Sequence, residues 1–316
     1  MTPQAAADGL GRLRKALGGA VVGQAPAVDA VLAAYVASGH VLIEGVPGIG
    51  KTLLARSMAA ALGARFSRVQ FTPDLMPGDL IGTNVFDAST REFRLVQGPV
   101  FTEVLMADEI NRTPPKTQSA LLEAMQERQV TIDGRTLPLE DHFFVMATQN
   151  PVEFEGTYPL PEAQLDRFMV RVEMGLPERA AEIELYRQVA EGRRRDALPV
   201  AAPVVSGEEA RALRRANQAV HVKRELLEYL ANLAAAVRKS PHVELGVSPR
   251  GGLALLETAR AAALLAGRDF VLPDDLKRFL VPCWGHRLLL RAESELEGHT
   301  PARLLDEAAR AVTVPH

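Results

Sequence analysis

The segment Val41-Leu42-Ile43-Glu44-Gly45-Val46-Pro47-Gly48-Ile49-Gly50-Lys51-Thr52 decides the fold, because it runs from an apolar strand through a Gly-rich turn into the start of a helix. Its second part matches G-x-x-x-x-G-K-[ST] in the strand, turn and helix setting that the motif requires. Glycines let the backbone fold tightly enough for successive N–H groups to point inward at phosphate oxygens, and the helix N-terminus adds partial positive charge. Lys51 is then placed to reach the β- and γ-phosphates of a nucleoside triphosphate, and Thr52 to ligate Mg²⁺. Gly45, Pro47, Gly48, Ile49, Gly50 and Leu53 complete the nucleotide-binding set expected in this segment. The competing reading, a chance Gly-rich turn before a helix, leaves the full spacing unexplained.

Outward from the motif, residues 40–174 alternate short apolar strands with helical stretches, the pattern of a parallel sheet covered by helices on both faces. Five core strands are expected near His40–Gly45, Ser67–Phe71, Val104–Asp108, Phe143–Thr148 and Met169–Glu173, with helices near Lys51–Leu62 and Pro114–Glu127. The third strand ends in Asp108-Glu109. The carboxyl edge of such a strand is where a carboxylate meets Mg²⁺, so Asp108 is expected to hold the metal through water and Glu109 to orient and activate the attacking water. Alone, Asp-Glu after a strand is a common surface ending; its distance behind a matched phosphate loop favours function. The fourth strand runs into Thr148-Gln149-Asn150 before Pro151. Asn before Pro is an ordinary turn choice, but an amide at this edge can hydrogen-bond the γ-phosphate and the lytic water, and Asn150 is assigned that role.

Two segments interrupt the alternation. Gln129–Leu139 carries Val130 and Ile132 ahead of Asp133-Gly134, a strong two-residue hairpin signal. Thr83–Gln97 is a second candidate hairpin, with Val85-Phe86 and Phe93–Val96 flanking the polar tip Asp87–Glu92. The inserts are expected at about 76–98 and 129–139. After Gly175-Leu176-Pro177 the chain turns Ala- and Leu-rich, so a first domain over about 1–175 is expected to be followed by a helical one over 176–316. Within the second, Glu191–Val205, with Arg193–Arg195 and two prolines, reads as a solvated connector. Ser248-Pro249-Arg250 reads as a helix start, with Ser as cap and Pro at the first position. A cation in a first turn opposes the helix dipole, so Arg250 is expected to meet an anion, either a phosphate or a nearby carboxylate. Arg167, in Leu165-Asp166-Arg167-Phe168, lies where the chain surfaces before the fifth strand. Spacing alone fits both an arginine that reaches a neighbouring subunit's phosphate and one in a structural salt bridge.

At 316 residues and 47% hydrophobic content the chain can bury a proper core, and its net charge of -3 gives no general attraction to nucleic acid or to an acidic membrane surface. Cys283 is the sole cysteine, which excludes an intrachain disulfide and a multi-cysteine metal site and suits a reducing compartment; it reads as a small buried apolar residue. The apolar stretch Val28–Ile49 is interrupted by Asp29, His40, Glu44 and glycines, so a helix and then a strand are expected there instead of a membrane span. Arg12, Arg14 and Lys15 before a short apolar run make a poor signal peptide. A cytoplasmic location without membrane insertion or direct nucleic-acid binding is expected.

Val22-Gly23-Gln24, the stretch Ala107–Gln129 that opens Ala-Asp-Glu-Ile-Asn-Arg-Thr-Pro-Pro-Lys, and Ala147–Phe168, from Ala-Thr-Gln-Asn-Pro to Leu-Asp-Arg-Phe, together resemble the MoxR family of AAA+ ATPases from about Val22 to about Leu288. The resemblance implies an α/β P-loop AAA+ domain, with a central five-stranded parallel sheet and two hairpin inserts, followed by an all-α lid domain. Thr83–Gln97 then matches the helix-2 insert and Gln129–Leu139 the pre-sensor-1 hairpin. It implies Val22, Gly23 and Gln24 around the adenine, Asn150 as sensor 1, Arg167 as the trans-acting finger, and Arg250 as sensor 2 on a lid that closes over the nucleotide. It further implies an ATP- and Mg²⁺-dependent ATPase in a homo-oligomeric, hexameric ring, acting as a chaperone-like remodeler of partner proteins that often carry von Willebrand factor A domains. Cys283-Trp284-Gly285 stands where the family is more helical, so no helix is expected straight through Gly285, and Trp284 is assigned to the core. A nucleotide-gated scaffold with slow hydrolysis and a chelatase-type motor subunit would use the same pocket; the long signature at Ala107–Gln129 favours MoxR. A replicative helicase fits poorly with balanced charge and hairpin tips that offer one Arg each, and a bacterial transcription activator would carry a Gly-Ala-Phe-Thr-Gly-Ala loop that this chain lacks.

Overall fold

The computed structural model describes residues 1–150, 156–192, 200 and 202–315. The chain opens with α1 (Pro3–Ala20), capped by the Thr2 side chain, which accepts the Ala5 N–H. Next comes α2 (Ala25–Val36), buried on every side from Ala27 to Val36. That all-round burial is what makes the sequence there uniformly apolar. The one charge in this helix, Asp29, is neutralised by Arg14 at 2.6 Å and by Arg278. Among the described residues no helix is long and apolar enough to cross a membrane.

The α/β layer then follows in chain order as β1 (Val41–Glu44), α3 (Lys51–Leu62), β2 (Phe66–Gln70), α4 (Pro77–Ile81), the hairpin β3 (Gly82–Asp87) and β4 (Glu92–Gln97), β5 (Val104–Asp108), α5 (Pro115–Glu127), the hairpin β6 (Gln129–Ile132) and β7 (Arg135–Pro138), β8 (Phe144–Gln149), α6 (Glu162–Leu165) and β9 (Val170–Glu173). The core sheet is parallel throughout, in the order β2-β5-β8-β1-β9. Each expected core strand is present to within one residue at either end. Strands β5 and β8 are buried on both faces, which is why they read as continuous apolar runs instead of alternating ones. The Asp133-Gly134 turn places both residues in the left-handed region, as a two-residue hairpin demands. The two hairpins touch through Asn84 Nδ2, which donates to Asp133 Oδ2 at 2.8 Å.

Beyond the sheet lie α7 (Arg179–Ala190), α8 (Gly207–Ala219), α9 (Arg224–Lys239), β10 (Val243–Leu245), α10 (Pro249–Leu265), α11 (Pro273–Trp284), β11 (Leu289–Leu290), α12 (Ala292–Leu296) and α13 (Pro301–Ala311). Among the described residues the region is helical except for the short antiparallel pair β10–β11 and a single bridge between His221 and Phe270. The Arg193–Arg195 run of the expected connector lies outside the described residues. Helix α11 carries Pro282 and stops at Trp284, and a 3₁₀ turn takes over from Gly285 to Arg287, so the helix does break at Gly285. Trp284 is fully buried and donates Nε1–H to Gly251 O at 2.9 Å. Burial also pushes the Cys283 thiol up to about 11, which leaves it unreactive.

A single apolar cluster unites Leu10 of α1, Val31 of α2 and Val41 of β1 with Leu213, Leu255 and Phe279 of α8, α10 and α11. The opposite face of the sheet has its own cluster, including Leu105, Leu121, Val145 and Phe168. Helices α8 and α10 are therefore fixed against α1 and α2, and this sets where the residues at the start of α10 can reach.

Candidate nucleotide site

The order β2-β5-β8-β1-β9 brings the carboxyl ends of β1, β5 and β8 side by side, so the phosphate loop, Asp108-Glu109 and Asn150 share one edge of the sheet. The loop bends through left-handed or otherwise positive φ at Gly45, Gly48 and Gly50. At Gly45 a Cβ would sit 2.4 Å from Met174 O and 2.3 Å from Ile49 Cδ1, so glycine is demanded there by backbone that cannot yield. Lys51 Nζ lies across the loop and donates to Gly45 O at 2.6 Å. Thr52 is half-buried in the first turn of α3.

Asp108 and Glu109 are tied into a network that motif reading did not assign. Thr148, fully buried at the end of β8, donates its hydroxyl to Asp108 Oδ1 at 2.5 Å and accepts the Glu109 backbone N–H at 2.9 Å. Arg68 Nη2 donates to Asp108 Oδ2 at 2.7 Å. Glu109 Oε2 accepts from Gln70 Nε2 at 2.7 Å and from Arg112 Nη1 at 3.1 Å. Glu109 itself has φ 57 and ψ 51, a left-handed conformation that is costly for a non-glycine residue and typical of functional positions. Asn150 is buried next to the same edge. The signal for Arg68 and Gln70 was their period-2 placement on one face of β2; Thr148 was marked by a hydroxyl closing an apolar strand.

Beside the loop opens a cavity of about 580 Å³. Of the expected residues, Val22, Gln24, Pro47, Gly48, Ile49, Gly50 and Leu53 line it, while Gly45, Lys51 and Thr52 belong to the same loop and helix start without lining it. Gln24 Nε2 donates to Gly175 O at 2.8 Å, which ties the turn after α1 to the chain leaving β9. Gly23 occupies that turn at positive φ, and a Cβ there would come within 2.8 Å of Ala181 Cβ on α7. Leu176, Pro177, Tyr186 and Val189 close the cavity from the other side. Leu176 and Tyr186 are exposed large apolar side chains that meet at this cavity. The cavity has the size and apolar lining of a small-molecule pocket.

Arg167 and Arg250 lie elsewhere. Both line a second cavity of about 260 Å³ with Gly39, His40, Met125 and Met169, residues at the amino ends of β1 and β9 or near them. That is the edge of the sheet opposite the phosphate loop. Arg250 therefore does not face the phosphate loop of its own chain, because tertiary bonds lock α10 onto the amino edge. Ser248 Oγ caps α10 by accepting the Gly251 N–H at 3.2 Å and also donates to Asp166 Oδ2 at 3.2 Å. Arg287, almost wholly buried, donates to Asp166 Oδ1 at 2.6 Å, Phe168 O at 2.7 Å and Met169 O at 3.1 Å. Asp166 and Arg287 thus tie the segment that carries Arg167 to the start of α10, and Arg167 and Arg250 line the same cavity.

Comparison with known proteins agrees with this geometry. Residues 40–170 match the family model described as ATPase family associated with various cellular activities (AAA), and residues 235–308 match the AAA lid domain. The Bacillus subtilis protein YeaC, itself uncharacterized, is 45% identical over 306 residues, spanning 97% of this chain and 95% of that one. Chaperone MoxR1 of Mycobacterium tuberculosis is 40% identical over 306 residues, 93% of this chain and 79% of the relative, and Protein MoxR of Paracoccus denitrificans is 34% identical over 325 residues, 95% and 94%. A crystal structure of a Cytophaga hutchinsonii protein assigned as an ATPase superposes with a TM-score of 0.90 at 37% identity, covering 98% of this chain and 96% of that one. Fold, phosphate loop and lid together define an AAA+ protein of the nucleotide-binding ATPase class. Within that class the chain belongs to the MoxR family.

Proposed function

We propose that this chain hydrolyses ATP in a homo-oligomeric, hexameric ring whose active sites lie between subunits, and that the ring acts as a chaperone-like remodeler of partner proteins. The observation that carries this is a separation: Lys51, Thr52, Asp108, Glu109 and Asn150 lie at the carboxyl edge of the sheet, Arg167 and Arg250 at its amino edge. A γ-phosphate cradled by one chain can meet such an arginine pair only from another chain.

Lys51 and the loop N–H groups hold the triphosphate, and the cavity bounded by Val22, Gln24, Leu53 and Tyr186 takes the base. The donor set suits Mg²⁺, with a hydroxyl at the start of α3 and a carboxylate at the end of β5, beside a cradle too tight for a Cβ at Gly45. Thr52 and Asp108 would hold the ion, which when bound neutralises charge on the phosphates. Glu109 orients and activates the attacking water, and Asn150 fixes water and γ-phosphate relative to each other. Arg167 with Arg250 from the next subunit stabilises charge moving to the leaving oxygen, an effect worth about 10³–10⁵ in rate where arginine fingers have been weighed. The bonds from Gln70 and Arg112 to Glu109 favour slow turnover until at least one is exchanged, which keeps a nucleotide-timed scaffold as the second reading.

The name Chaperone MoxR1 on a relative supports the remodeling role, and a von Willebrand factor A domain protein is the partner class that the family resemblance suggests. A single buried cysteine suits a cytoplasmic setting. ATPase activity per subunit, measured against protein concentration alongside size-exclusion chromatography with and without ATP, tests the proposal. Specific activity rising as a larger species forms supports shared sites; flat activity in a persistent monomer refutes them.

A further inference from the structure

Outside the nucleotide cavity, three side chains with metal-ligating atoms converge between two turns of the helical region. His242 sits between α9 and β10, and Glu297 and His299 sit between α12 and α13; one ligand atom from each lies within 4.8 Å of the others. The two imidazoles stack at 3.9 Å between centroids, tilted by 29°. His242 Nδ1 lies 3.0 Å from Ser294 Oγ. With that nitrogen protonated and donating to the hydroxyl, the Nε2 lone pair of His242 is left available. His299 Nδ1 is buried without a hydrogen-bond partner, and its Nε2 is 3.8 Å from Glu297 Oε2, beyond hydrogen-bonding reach.

We propose that His242, His299 and Glu297 form a site for a divalent ion of Zn²⁺ type, separate from the Mg²⁺ position at the nucleotide. Two imidazole nitrogens and one carboxylate oxygen are the donors of a borderline-soft ion, whereas Mg²⁺ takes an octahedron of oxygens. Three protein ligands leave a fourth tetrahedral position to water. Zn–N bonds of about 2.0–2.1 Å require ligand atoms roughly 3.3 Å apart, so the group must close by side-chain rotation. Glu297 is exposed and both imidazoles are partly so, which leaves these side chains room to rotate. The Ser294 hydroxyl is the outer-sphere partner that fixes the ligand tautomer of His242. Among the described residues the apolar cluster that includes Val243, next in sequence to His242, is small, formed with Leu290 and Leu304. A metal joining the two turns would clip α12 and the start of α13 to the end of α9.

The test uses the full chain, nucleotide-free and stripped with EDTA, titrated with Zn²⁺ and separately with Co²⁺. One ion per chain, a tetrahedral Co²⁺ spectrum displaced by Zn²⁺ and not by Mg²⁺, and a melting temperature that climbs with Zn²⁺ concentration are expected. Ser294→Ala should weaken binding about 10–100-fold and His242→Ala or His299→Ala by more than that, while His221→Ala, a change at an exposed histidine outside the cluster, leaves it intact. Failure of the wild-type chain to give a tetrahedral Co²⁺ spectrum overturns the proposal, as does unchanged affinity in both histidine variants. Should those variants fail to fold, Glu297→Ala replaces them, and unaltered Zn²⁺ affinity there is equally fatal.

Discussion

Replacing Thr148 by Val probes the network behind the carboxylates while keeping the shape of a fully buried side chain. The hydroxyl makes two bonds, to Asp108 Oδ1 at 2.5 Å and from the Glu109 N–H at 2.9 Å. One neutral bond at about 1 kcal/mol and one to a carboxylate at about 1.5–3 kcal/mol put the loss of stability near 2–4 kcal/mol. Glu109 holds a left-handed backbone that costs about 1–3 kcal/mol, and its N–H bond to Thr148 is one of the contacts that keep it there. Once that bond is gone, Glu109 relaxes toward an ordinary conformation and its carboxylate moves; a displacement of an ångström costs about 10²-fold in a positioned reaction. The expected result is an ATPase kcat lower by about 10- to 100-fold, or about 1.4–2.7 kcal/mol of barrier, with nucleotide affinity from a fluorescent-analogue titration changed less than about threefold. Thr148→Ser, which keeps the hydroxyl, should turn over near the wild-type rate. Wild-type turnover in Thr148→Val would refute the reasoning by showing that the hydroxyl is dispensable, and equal damage in Thr148→Ser would refute it by showing that packing of the methyl group suffices to explain the loss.

Three further outcomes follow from the same geometry. Glu109→Gln keeps the hydrogen-bonding shape without the base, so ATP binding should persist while hydrolysis falls about 10²-fold or more; loss of binding in a folded variant contradicts that role. Gly45→Ala drives a Cβ to 2.4 Å from Met174 O, so nucleotide affinity should drop at least about tenfold and the melting temperature with it, whereas normal affinity would mean that the loop is not the cradle. His40 accepts the Val145 N–H at Nδ1 and meets Met125 O through Nε2, which requires a neutral ring, and burial, seconded by Arg128, lowers its pKa from 6.5 to about 3. Because the folded value lies below the unfolded one, the stabilisation is complete above pH 6.5 and drains away as pH falls from 6.5 toward 3, by on the order of a few kcal/mol. Urea midpoints should decline over that range, and His40→Gln should flatten part of the slope, with His286 and His142, both lowered by burial, adding to it in the same direction. Parallel pH curves for the two proteins would count against this.

Local chemistry made most of the sheet legible. An apolar run closing on Asp108 can only be a strand that surfaces there, and Gly50-Lys51-Thr52 fixes where α3 begins, because phosphate loops leave few alternatives. Asp133-Gly134 fixed a hairpin for the same reason, since both residues tolerate the backbone that the turn needs. The position of Arg250 was not legible: it depends on Arg287 meeting Asp166 across 121 residues and on α10 packing against α1 and α2, neither of which leaves a trace in the spacing of Ser248-Pro249-Arg250. Leu176 and Tyr186 escaped for a related reason, since an apolar residue in a linker or on a short helix looks alike whether it faces a core or a ligand cavity. Thr148 was visible only as one hydroxyl in an apolar strand, and its role emerged once β5 and β8 were seen as neighbours.

The most direct test of the shared site mixes two inactive chains. Lys51→Ala lacks a working phosphate cradle and Arg167→Ala lacks the finger, so each alone should hydrolyse ATP poorly. In a randomly mixed ring at equal amounts, about a quarter of the interfaces pair an intact cradle with an intact arginine from the neighbour. ATPase activity should therefore reappear on mixing and peak near equal proportions. Mixed oligomers that form and yet stay inactive at every ratio would contradict the central claim.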